Sequence, residues 1–161
     1  MATAYFYRHE LDAFLAESER AISLNPNSVD TLAWMGLFLD QLGDERGIVL
    51  VRRAMKLDPF HPPWYYFTIS GYHFSRGEYE EAVSAARRIE IPGYFWPQVY
   101  LAVSYTELGR QNEASSALGE LLRLYPGFSV QTYVEEARKW NFQDDTIRRW
   151  AEALRKAGLP E

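Results

Sequence analysis

The chain has no cysteine among its 161 residues, so neither a disulfide framework nor a thiolate metal site can be built from it. That absence suits a reducing compartment, and a cytoplasmic location is the expectation. Histidine is scarce: His9, His61 and His73 are the only three, and none stands at a spacing used by a metal site or a nucleophile. Positive charge is outweighed, with 17 Lys and Arg against 22 Asp and Glu and a net charge of −5. Nucleic-acid binding normally rests on clustered cations that neutralise phosphates, so a nucleic-acid partner is not expected. No apolar run approaches the ~18 residues that a membrane-spanning helix needs. The opening MATAYFYRHELD lacks a basic segment followed by an apolar one, so it does not read as a secretory signal. A glycine-rich phosphate loop is missing as well, since GRQNEASS has neither the lysine nor the glycine spacing. The acidic pairs Glu80-Glu81, Glu135-Glu136 and Asp144-Asp145 fall on solvated helix faces or at a helix start, where they act as surface charge. The sequence therefore predicts no catalytic residue, no cofactor and no metal, and no membrane partner.

Apolar residues are plentiful, 47% of the chain with 16% aromatic, enough for one compact domain or one short solenoid. They are arranged with a period. Pro26, Pro59, Pro92 and Pro126 lie 33, 33 and 34 residues apart, and Gly43, Gly77 and Gly109 keep step with them. Ahead of each glycine, a bulky apolar residue precedes a small one: Met35-Gly36, Ile69-Ser70 and Leu101-Ala102. Behind each comes another small residue, Gly47, Ala82 or Ala114. Proline cannot continue a helix and glycine stops one, so each period reads as two helices joined by a tight turn. A helix pair of this size cannot bury its apolar faces alone. Small residues at each crossing make sense only if neighbouring pairs stack.

These marks resemble the tetratricopeptide repeats, most closely in SGYHFSRGEYEEAVSAARR and YLAVSYTELGRQNEASSAL, over about residues 10–126. The resemblance implies an all-α fold, a right-handed solenoid of stacked antiparallel helix pairs. The expected division is one domain over 1–161: a partial first repeat over 1–26, repeats over 27–59, 60–92 and 93–126, and capping helices over 127–161. Aligning Pro26 with the later prolines puts His9 where a turn glycine belongs, leaving only Met1 to Arg8 for the first helix, half the usual length. The uncovered Tyr5, Phe6 and Tyr7 lead to the expectation that the chain is a fragment of a longer protein. Later helices are expected at Val29–Gln41 with Asn27 or Ser28 as cap, Asp44–Lys56, Glu78–Ile89 and from about Phe95. The stripes Val130, Tyr133, Val134, Ala137 and Ile147, Trp150, Ala151, Leu154 mark two more. Asp144 is the expected cap of the last, and Arg148, Arg149, Glu152 and Arg155 its polar outer face.

In a solenoid of this resemblance the first helix of each pair lines the concave side. The residues expected there are Trp34, Leu37, Trp64, Phe67, Phe74, Trp96, Val99, Tyr100 and Val103. The Lys and Asn with which some members of the family hold a peptide carboxylate are missing at those places, so the groove would offer aromatic and aliphatic surface to an apolar or helical segment. The same rings can instead fill the narrow inner side of the superhelix. Arg52-Arg53 and Arg87-Arg88 fall on second helices, the outer layer, where long side chains cover apolar surface. The functional expectation is a non-catalytic protein-binding module, with self-association as the alternative. IEIPGYFWPQVYLAVSYTELGR and the ending LRKAGLPE are also similar to the C-terminal repeat regions of bacterial multidomain signalling proteins such as nucleotide cyclases. That similarity implies a regulatory setting.

Overall fold

The computed structural model describes residues 2–161, so Met1, part of the expected shortened first helix, lies outside the described residues. Among the described residues every regular element is helical. The order is α1 (Ala2–Tyr7), α2 (Leu11–Leu24), α3 (Val29–Gln41), α4 (Arg46–Leu57), α5 (Tyr66–Ser75), α6 (Tyr79–Ala86), α7 (Trp96–Glu107), α8 (Gln111–Leu124), α9 (Val130–Lys139) and α10 (Asp144–Ala157). No helix among these residues is long and apolar enough to cross a membrane.

The helix ends follow from local chemistry. Ser28 Oγ accepts the Thr31 amide at 3.4 Å and so caps α3, and Ser129 accepts from the Thr132 amide at 3.2 Å before α9. Pro63 opens a single 3-10 turn, Pro63–Tyr65, that runs into α5, where its missing donor costs nothing. Two second helices are shorter than the sequence suggests. The Asp44 carboxylate accepts the Arg46 amide at 2.9 Å, which delays the start of α4 to Arg46. After Ala86 the chain tightens into turns, Arg88 N–H to Ala85 O at 2.9 Å and Ile89 N–H to Ala86 O at 3.0 Å, and α6 ends there. Asp144 is not the cap of α10. Gln143 holds that position without a side-chain bond, while Asp144 and Asp145 stand in the first turn and favour the positive end of the helix.

The turn inside each pair needs a left-handed backbone, and it recurs at His9, Gly43, Gly77, Gly109 and Asn141, with φ of 59°, 72°, 76°, 70° and 55°. Glycine takes this conformation without strain; His9 and Asn141 take it with a side chain. At the crossings the backbones approach closely. A Cβ on Gly47 would fall 2.5 Å from the Gly36 carbonyl oxygen, so α3 and α4 could not meet with larger residues there. In the next pair Ser70 Oγ donates to Ala82 O at 2.9 Å, and in α7 and α8 the small pair is Ala102 and Ala114, both without accessible surface. The outer layer uses arginine as a lid on tyrosine. The Arg88 guanidinium lies 4.1 Å from the centre of the Tyr66 ring, Arg52 5.3 Å from Tyr72 and Arg87 5.8 Å from Tyr105. His73 is likewise accounted for, its Nδ1 2.6 Å from Glu78 Oε2.

The last pair departs from simple stacking. α10 packs along α7, with the Trp150 ring centre 4.7 Å from that of Tyr100 and 5.1 Å from that of Phe74. Arg149, expected on the polar outer face, is only partly exposed and lies across neighbouring helices. Its guanidinium lies 4.9 Å from the centre of the Phe74 ring, bonds the Tyr79 hydroxyl and pairs with Glu107 at 3.6 Å. The turn before α10 reaches the other end of the molecule. Asn141 Nδ2 donates to Phe6 O at 2.8 Å, Gln143 Nε2 donates to Leu42 O at 2.7 Å, and the Trp140 and Tyr7 rings meet at 5.8 Å. First and last helix pairs therefore touch each other.

Candidate functional site

The first helices and the α9–α10 turn together enclose a cleft of about 230 Å³. Six of the nine residues expected in the groove line it: Trp34 and Leu37 from α3, Trp64 and Phe67 from the turn before α5 and α5 itself, and Trp96 and Tyr100 from α7. The other three do not. Val99 and Val103 have no accessible surface and belong to the main core cluster. Phe74 is covered by Trp150 of α10 and borders a neighbouring cavity.

The six rings and chains in the cleft are not equivalent. Trp34 keeps 41% of its surface exposed and lies on Trp64, ring centres 4.5 Å apart and planes 29° off parallel. Trp96 is only 4% exposed, with Phe142 stacked against it at 5.7 Å and 3°. Trp34 and Trp64 thus form the open lip, while Trp96 is fixed floor. Tyr94, from the segment before α7, Ile91, Trp140 and Phe142 complete the apolar wall. Trp140 and Phe142 carry no mark in the sequence analysis because they flank Asn141, where the chain turns between the last two helices, outside both apolar stripes. Two aromatics flanking the turn residue Asn141 were the available signal.

A second cavity, about 280 Å³, adjoins the first and shares Gln41, Tyr100 and Phe142 with it. Its character is different. Asp40, on the last turn of α3, extends over Gly71 of α5, where a Cβ would sit 2.8 Å from Asp40 Oδ2; the glycine is what makes room for the carboxylate. Asp40 is half-buried, and burial raises its pKa well above the usual carboxylate range with no hydrogen bond or cation lowering it. The Tyr100 hydroxyl is held far above its ordinary value first by burial and then by the charge of Asp40. Gln41 is 8% exposed and its Oε1 has no hydrogen-bond partner. Among the described residues no three His, Asp or Glu side chains come together as a metal ion would require.

No family model matches the chain, and no curated protein matches it in sequence. Solved structures do match in shape. A crystal structure of MamA is similar over 98% of this chain and 92% of that one, at 19% identity and a TM-score of 0.66. A double mutant, MamA RS-1 ArsTM, covers 97% of this chain and 88% of its own at 18% identity and a TM-score of 0.67. A MamA MSR-1 structure gives 97% and 90% at 17% identity and a TM-score of 0.64. At that level of identity the likeness is one of fold, and the fold is the tetratricopeptide-like stack of helix pairs that the repeat pattern implies.

Proposed function

We propose that the chain is a non-catalytic protein-interaction module in which apolar side chains of a partner segment enter the aromatic cleft. The observation that carries this reading is the exposed Trp34–Trp64 lip over an apolar wall. A large, rigid aromatic left open to water beside an apolar recess is the usual anchor of a protein interface. The cleft, about 230 Å³, is smaller than the roughly 300–1,000 Å³ of sites that enclose a whole ligand. It has room for one or two side chains, which favours a protein segment over a cofactor. Enclosure of the cleft by the α9–α10 turn argues for a short segment presented from one side, in place of a long one threaded through an open groove. A place in a regulatory assembly, expected from the sequence, is part of this proposal.

Selection of displayed random peptides on the native chain, followed by affinity measurement, tests the reading. Trp34→Ala is expected to weaken the selected peptides by about thirtyfold or more, the size of an interface anchor at ~2 kcal/mol, and to leave the melting temperature nearly unchanged. Failure to enrich any peptide, or enrichment indifferent to Trp34→Ala and Trp64→Ala, removes it. Self-association is the second reading. It draws on the exposed Tyr7 and Leu11 of the first helix pair, and a mass by light scattering that stays monomeric across concentration removes it.

A further inference from the structure

We infer that the cavity around Asp40 receives the ammonium or guanidinium end of a Lys or Arg in the partner segment whose apolar side chains fill the aromatic cleft; this rests on the docking reading above. The two cavities share Gln41, Tyr100 and Phe142 as lining residues, so they lie side by side and one partner segment can present side chains to both. The second cavity holds a pair of acceptors without donors. Gln41 Oε1 has no partner, and Asp40 has no cation or hydrogen bond holding its carboxylate. A carboxylate drawn partly out of water with no partner is costly, and native structures tend to pair such groups.

Of the other charged side chains lining the cavity, all but Glu45 are already paired. Asp44 is held by Arg46 at 2.6 Å, Asp145 pairs with Arg148, and Glu45 is exposed. Arg149, the one cation lining the cavity, is engaged by Glu107 and the Tyr79 hydroxyl. Asp40 is therefore the carboxylate of the cavity that is both partly buried and unpaired. A donor-rich cationic tip supplies what it and Gln41 lack, and the apolar stem of a long basic side chain suits the rings of Tyr100 and Phe142 beside it. Gly71 supports the same conclusion, because any side chain at that position would fill the space the carboxylate occupies.

Two selections run in parallel from one displayed random peptide library, on the native chain and on Asp40→Asn, separate this inference from the reading it rests on. The native chain is expected to enrich peptides combining an aromatic or aliphatic cluster with a Lys or Arg at a fixed offset. Asp40→Asn is expected to enrich the cluster without the basic residue. For the selected peptides, Lys→norleucine should weaken binding to the native chain on the order of tenfold to a hundredfold, the range of a charge-assisted bond, and should change little on Asp40→Asn. Without peptide, Asp40→Asn should melt at the same or a higher temperature than the native chain, because it removes a partly buried charge that has no partner. Apolar peptides enriched equally on both chains, with no basic residue at a fixed place, overturn the inference and leave the docking reading standing. No enrichment on either chain overturns both. A lower melting temperature for Asp40→Asn, with peptide affinity unchanged, assigns Asp40 a structural role and also overturns the inference.

Discussion

The pairs α3–α4 and α7–α10 are both tight helix contacts, and they are built in opposite ways. The first brings two backbones together across Gly36 and Gly47, where nothing larger fits. The second is filled by a large ring, Trp150 of α10, lying against Tyr100 of α7 and also against Phe74 of α5. The difference teaches what each contact is for. A crossing of small residues repeats with the chain and propagates a stack. The Trp150 contact does not belong to the repeat and fixes one particular closure of that stack.

The largest effect should come from removing the ring that makes the closure. Trp150→Ala leaves a large void among Tyr100, Phe74, Tyr133 and Phe142, and is expected to cost about 3–5 kcal/mol in denaturant unfolding. Because the cleft borrows Phe142 from the turn before α10, peptide binding should fall with it. A stable Trp150→Ala chain with intact binding would show that the closure is dispensable. Gly47→Val attacks the other contact and should cost about 2–3 kcal/mol, since the new side chain meets the carbonyl of Gly36, which cannot move away as a flexible side chain could. A smaller effect is set by pH. The folded-state pKa of Asp40 is raised, so the folded chain holds that proton more tightly than the unfolded one. Its stabilising contribution is complete below the ordinary carboxylate value and is lost as pH rises through the raised one. Difference melting curves between the native chain and Asp40→Asn should isolate this loss, at roughly 2–4 °C per kcal/mol for a chain of this size. The smallest change is His9→Gly, which relieves a left-handed residue in the first turn and should add about 1 kcal/mol or less. Asn141→Gly should not match it, because that side chain also donates to Phe6 O.

The same contrast explains what was legible in the sequence. Pro26, Pro59, Pro92 and Pro126, the turn glycines and the small residues at 36, 47, 82, 102 and 114 announce the stack because each does its work within one helix pair. His9 was placed as a turn residue by register alone, and its backbone has the conformation of the glycines it replaces. The closure was not legible. Arg149 read as surface because its period matched an outward face, but its partners, Glu107, Phe74 and Tyr79, lie 42 residues or more earlier in the chain. Val99 and Val103 occupy groove positions by the repeat pattern and are core in the folded chain, which the repeat pattern alone does not separate from groove. Asp40 gave no sign at all, since its setting is made by Gly71 on another helix.

Hydrogen bonds from Asn141 to Phe6 and from Gln143 to Leu42 span 135 and 101 residues of sequence. A linear array of repeats frays from its two ends independently, because each unit leans only on its neighbour. Here the two ends lean on each other, so neither can loosen without exposing the other. The outermost amides of α2 and α9 should then exchange with solvent at nearly the rate of those in the middle, and the chain should melt in one transition where an open array would unzip.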